Sequence, residues 1–192
     1  MRHYCLVVSS VRIPAREAII QSAFAVLGKN PSATLADVAA RAGVGRATLH
    51  RHFASREDLM RELALLASKQ MDSAVDAACA PAQSYSEAVR LALRALIPLG
   101  DRRWFLAIDL FADDPELQAE FARQNQETTE LMDAAKREGL FDKSVPTSWI
   151  VQAFDHLLLA GWECVSAGEL TQDQAADLAW RTLINGLGRA DK

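Results

Sequence analysis

Apolar positions recur at three- and four-residue spacing along nearly the whole chain, and no segment sustains a period of two, so the pattern predicts helices throughout. The first helix spans about 14–28, with Pro14 in its first turn and Gly28 near its end. After an Asn30-Pro31-Ser32 connector, Thr34 is a good N-cap with Asp37 three residues on. Leu35, Val38, Ala39 and Ala42 then share one face until Gly43 stops the helix, and Val44 plugs the corner. Leu49 and Phe53, four apart, predict a short third helix that buries against the second. Ser55 caps a long helix that runs to about Cys79, ended by Pro81. Further helices are expected over about 84–97, closed by Pro98-Leu99-Gly100, and over 102–112, capped by Asp101. Asp114 with Pro115 opens the next, which runs to Glu138 and is stopped by Gly139. Pro146 and Thr147 open one to about Ala167, and Thr171 with Gln174 forms a capping box for the last, to about Gly186. The expected fold is all-α, with about nine helices and no internal repeats.

A helix, a glycine turn and a second short helix fix two helices at a steep angle, and that geometry lets the second enter the DNA major groove. On the helical wheel Ala47, Thr48 and Arg51 lie opposite Leu49, with Arg46 and His50 on the flanks. This face is short, basic and rich in hydrogen-bonding groups. Arg can read guanine, while Thr and Ala can contact phosphate or a thymine methyl. The plainer reading is a helical corner with a solvated charged face.

The stretch from Arg16 to Met60 resembles the N-terminal domain of TetR-family transcriptional regulators. The resemblance rests on Ile19, Ala23, Phe24, Leu27, Thr34, Val38, Ala39, Ala42-Gly43-Val44, Thr48-Leu49, Phe53, Ser55 and Leu59, in register and without gaps. It covers about a quarter of the chain. It implies base-edge contacts from Arg46, Ala47 and His50, and phosphate contacts from Thr34, Thr48, Arg51, His52 and Arg56. His50 and His52 stand where the family most often has Tyr, and Ala54 where a Lys is frequent, so one phosphate contact is expected to be missing. Two histidines there would strengthen DNA binding at mildly acidic pH, because imidazole gains charge near about pH 6.5.

Charge adds to this picture. The net charge of −4 is unusual for a DNA binder, but residues 1–60 carry 8 Lys/Arg against 4 Asp/Glu, and residues 61–192 carry 13 against 21. A basic head on an acidic body is an expected footprint of nucleic-acid binding. The domain reading is a 1–12 extension, expected to be disordered, a DNA-binding domain at 13–60, and a ligand-binding and dimerisation domain at 61–192. Cys5, Cys79 and Cys164 show no paired spacing, which disfavours a disulfide framework or a zinc site and fits a reducing cytoplasm. The His50-x-His52 pair is too close for one helix face to bind a metal. No cofactor is expected, and no stretch approaches the length of a membrane-spanning helix.

The helices over about 147–167 and 171–187 are unusually apolar. Ala153, Leu157, Leu158, Ala160, Gly161 and Val165 lie in one, and Ala175, Leu178, Ala179, Leu183 and Leu187 in the other. Each has more apolar surface than one subunit can bury, so a second copy is the expected sink. The resemblance implies a four-helix bundle across a twofold axis, which would place two recognition helices on an inverted repeat. It also implies a pocket for a small-molecule effector lined by Trp104, Ile108, Phe111, Phe154, Leu158 and Trp162. Phe105 is a further large apolar residue, and Asp109, His156 and Glu163 are candidate polar groups. The carboxylates would favour a cationic ligand. The expected function is a ligand-responsive homodimeric repressor, released when ligand changes the placement of the 55–79 helix. The alternative is a constitutive DNA-binding regulator without an effector. An enzyme is disfavoured, because there is no nucleophile elbow, P-loop, dinucleotide fingerprint or His-Glu-x-x-His.

Overall fold

The structure is a computed structural model that describes residues 13–106 and 111–187, apart from the side chains of Trp104 and Leu187. The elements among these residues are all helices: α1 (Ala15–Leu27), α2 (Leu35–Ala42), α3 (Arg46–His52), α4 (Arg56–Cys79), α5 (Tyr85–Leu96), α6 (Gly100–Leu106), α7 (Pro115–Glu138), α8 (Thr147–Ser166) and α9 (Gln172–Leu187). A single 3-10 turn over Ile97–Leu99 joins α5 to α6. The expected all-α fold is therefore found. The 1–12 extension and the segment around Ile108 and Asp109 lie outside the described residues.

Contacts divide the chain into two compact units, the first ending at Leu59 and the second beginning at Met60. In the first unit α1 buries Ile19, Ile20, Ala23, Phe24 and Leu27 against α2 and α3. Burying each large apolar side chain contributes about 1.5–3 kcal/mol, which is what holds helices as short as α2 and α3 in place. Both ends of α2 are closed by local chemistry. The Thr34 hydroxyl accepts from the Asp37 N–H at 3.2 Å, and the Asp37 carboxylate accepts from the Thr34 N–H at 2.8 Å. The Thr34 N–H, and after it the Thr34 hydroxyl, donate to the Asp37 carboxylate and hold it below its usual range. At the other end Gly43 takes φ +65, the left-handed conformation that lets the Val44 N–H reach the Ala39 carbonyl at 3.0 Å. That bond is the corner of the helix–turn–helix. Ser55 and Asp58 form the same reciprocal cap at the start of α4, each bond at 3.0 Å.

The second unit packs α8 on α9, with α5 against α7 and α9. Asp114 caps α7 by accepting from the Glu116 and Leu117 N–H groups, each at 3.1 Å, and Thr171 with Gln174 forms the expected box before α9. One expectation fails. Asp101 does not cap a helix starting at 102: α6 begins at Gly100, and Asp101 sits in its first turn, paired with Arg102. Ile97 and Gly100 already take right-handed helical angles, so the chain is helical before Asp101 reaches a capping position, and Gly100 itself lies against the Trp162 side chain of α8, where a Cβ would clash.

Candidate nucleic-acid interface and effector cavity

The recognition segment has one buried and one open face. Leu49 is 1% exposed and Phe53 4%, both inside the first unit. Arg46, Ala47, His50, Arg51 and His52 are exposed, and Thr48 is half-buried. Five of the proposed contact residues thus stand together on the free side of α3. Gly45 at the N-cap leaves the first N–H groups of α3 without a side-chain cap, a local source of positive potential that a phosphate can use.

Two of the proposed phosphate contacts also have structural roles. Arg56 donates from Nη1 to the Ala33 carbonyl and from Nη2 to the Pro31 carbonyl, each at 2.6 Å. It clamps the connector between α1 and α2 and keeps only its remaining N–H groups for a phosphate. The Thr34 hydroxyl donates to Asp37 at 2.7 Å, so its proton is already committed. Arg16 stacks over Phe53 with 5.5 Å to the ring centroid, which shields that core ring at the unit's edge.

The second unit holds a half-open cavity of about 420 Å³, lined by residues of α4 to α8. Its apolar wall includes Met71, Val75, Leu96, Leu106, Phe121, Leu131, Val151, Phe154 and Leu158. Its polar wall carries Asp72 and Asp76 from α4, Arg103 from α6, Arg123, Gln124 and Glu127 from α7, and Asp155 from α8. Of the expected pocket residues, Phe154 and Leu158 are in the lining. Phe111 and Trp162 are not: Phe111 is core, and Trp162 packs on Gly100. Phe105 is likewise core. Ile108 and Asp109 lie outside the described residues, as does the Trp104 side chain. His156 and Glu163 are exposed and not in the lining, and the His156 Nδ1 sits 2.8 Å from the Gln152 carbonyl of its own helix. The acidic groups that do line the cavity are Asp72 and Asp76 of α4, Glu127 of α7 and Asp155 of α8. The only local signal for the first three was i,i+4 spacing, which puts Asp72 with Asp76, and Arg123 with Glu127, on one helix face each.

Both guanidinium groups of the cavity are paired. Arg103 donates to Asp155 at 2.6 Å. Arg123 meets three carboxylates, those of Asp72, Glu120 (2.7 Å) and Glu127 (2.8 Å). Its guanidinium is held protonated far above its ordinary range, by Glu120 first and then Glu127. Glu120 is correspondingly lowered, by Arg123 first and then by the Ser68 hydroxyl. Among the described residues no group of His, Cys, Asp and Glu could hold a metal ion. Nor is any helix there long and apolar enough to cross a membrane.

A helix–turn–helix unit with a basic free face, joined to a larger helical unit, has the make-up of a DNA-binding regulator. Comparison with known proteins agrees. The sequence pattern of bacterial regulatory proteins of the tetR family matches residues 19–63. The HTH-type transcriptional repressor LfrR of Mycolicibacterium smegmatis is 31% identical over 180 residues, 93% of each chain. The crystal structure of LfrR from Mycobacterium smegmatis in complex with proflavine superposes with a TM-score of 0.74 at 30% identity, over 92% of this chain and 97% of that one. The ketosteroid transcriptional regulator KstR2 of Mycobacterium tuberculosis also gives 0.74, at 16% identity over 92% and 96%, and shows the fold alone. The chain belongs to the TetR family of transcriptional regulators. Its relatives are DNA-binding regulators, not enzymes.

Proposed function

We propose that the protein is a homodimeric repressor that binds an inverted-repeat operator and is released by a cationic, largely apolar small molecule seated in the 420 Å³ cavity. The observation that carries the effector reading is the cavity wall. Four carboxylates face two guanidinium groups across an apolar floor that includes Phe121 and Phe154. An excess of negative charge beside aromatic faces favours a flat organic cation. The similarity to LfrR, solved with proflavine, supports the same class.

For the DNA, Arg46, Ala47 and His50 are the proposed base contacts, and Thr48, Arg51 and His52 the proposed phosphate contacts. Thr34 and Arg56 are proposed to act chiefly by fixing the start of α2 and the connector before it. The dimer reading is supported by apolar side chains left open on α8 and α9: Trp149 is 63% exposed, Leu178 45% and Leu159 36%. The interface is narrower than expected, since Leu158, Ala175, Ala179 and Leu183 are buried within one subunit.

Selection of sheared genomic DNA on the purified protein, followed by sequencing, tests the operator, and proflavine titration of the selected complex tests the effector. An enriched inverted repeat that proflavine releases supports the reading. An enriched repeat that neither proflavine nor other planar cations release would indicate a constitutive regulator. Arg46→Ala should weaken binding and relax the sequence preference. Arg51→Ala should weaken it uniformly and lower the salt slope by about 1.

A further inference from the structure

Arg123 is bound in an unusual way for a surface-facing cation. Its Nη1 donates to both oxygens of Glu127 at 2.8 Å. Its Nε and Nη2 donate to Glu120 at 3.0 and 2.7 Å, and Nη2 also reaches Asp72 on α4. Gln124 supplements it, donating at 2.9 Å to Asp72 and at 2.9 Å to the buried Ser68 hydroxyl, which in turn donates to Glu120. One guanidinium therefore holds three carboxylates from two helices, a local excess of two negative charges.

The three acceptors are not equivalent. Asp72 and Glu127 line the cavity, whereas Glu120 does not. Glu120 lies three residues before Arg123 on the same helix. A cation arriving from the cavity can take Asp72 and Glu127 while Arg123 keeps its two bonds to Glu120. The displaced guanidinium is then never left without a partner, which removes the main cost of breaking such a network. What is lost is the Arg123 bridge from α7 to Asp72 of α4, so occupancy and that one bridge are mutually exclusive, while the Gln124 and Ser68 bonds between the two helices remain.

We propose that Arg123 is a tethered counter-ion that fills, in the ligand-free protein, the seat the effector's cation takes. The seat accepts a planar N–H-bearing cation, such as a guanidinium, an amidinium or an amino-substituted aromatic cation. The planarity follows from the acceptors, which two coplanar N–H groups of the present guanidinium satisfy together. A quaternary ammonium ion, with no N–H donor, does not replace it. This rests on the effector reading above but is tested without effector or DNA.

The test is chemical rescue of the full chain. Arg123→Ala empties the seat, and methylguanidinium is the probe. The melting temperature of the variant is expected to rise by about 2–4 °C at about 10 mM methylguanidinium, through preferential binding to the folded state. Tetramethylammonium at equal ionic strength is expected to give no rise, and wild type, where methylguanidinium has to displace Arg123, to rise by clearly less than the variant. Equal rescue by both ions would reduce the effect to screening and overturn the proposal. No rescue, or a wild-type rise as large as the variant's, would overturn it as well. If the Ala variant does not fold, Arg123→Gln, which keeps a donor for Glu120, is put through the same comparison. Rescue of the variant in a protein that ignores proflavine would support the seat while sinking the effector reading.

Discussion

Gly100→Ala isolates a single contact between α6 and α8. An ideal Cβ at position 100 would overlap Cβ and Cγ of Trp162 and come within 3.0 Å of its Cδ1. Rotating the Trp162 ring relieves the overlap with Cγ and Cδ1. It does not relieve the overlap with Cβ, which is fixed to the α8 backbone, so one helix has to move. Overpacking costs about 1–3 kcal/mol, and a clash that only backbone movement relieves belongs at the upper end. Against this, Ala in place of Gly at a helical position stabilises by about 0.5–1 kcal/mol. The net expectation is a loss of about 2 kcal/mol. For a unit of this size that lowers the melting temperature by about 6–10 °C. Thermal unfolding followed by circular dichroism reads it directly. A melting temperature equal to or above wild type would refute the reasoning, because the Ala propensity gain would then have met no opposing clash and the register of α6 on α8 would be wrong.

Further outcomes are expected elsewhere in the chain. Thr34→Ala should cost about 1 kcal/mol by opening the cap of α2, seen as faster hydrogen exchange of the α2 amides; unchanged exchange would discard the capping account. Burial raises the Asp101 carboxyl, with its Oδ1 left without a hydrogen-bond partner among the described residues. The folded state then binds more protons than the unfolded chain from about pH 4 up to the raised value, so this group's contribution falls as pH rises through that window. Asp101→Asn should therefore gain on wild type in melting temperature as pH rises above about 4, and a difference that is flat with pH would contradict this. Glu120 is shifted the other way, so its contribution is present above about pH 4.3 and is lost as pH falls. Leu159→Glu with Leu178→Glu should give a monomer in sedimentation experiments if α8 and α9 form the dimer interface; a dimer at wild-type strength would move the interface elsewhere.

Nearly everything local was legible in the chain itself. The caps at Thr34, Ser55, Asp114 and Thr171, and the turns at Gly43 and Gly139, depend on groups within about five residues of one another, so spacing and side-chain chemistry suffice to place them. The buried and open faces of α3 likewise follow from helical periodicity around Leu49 and Phe53. Tertiary structure decided what depends on distant partners. It set Gly100 of α6 against Trp162 of α8, and it turned Arg56 toward the Pro31 and Ala33 carbonyls. It also assembled the acidic cavity wall from α4 and α7, where Asp72 and Arg123 meet across 51 residues of sequence. A charged residue on an amphipathic helix reads as solvated until another helix comes beside it. Only packing determines whether its carboxylate faces water, a guanidinium or a ligand.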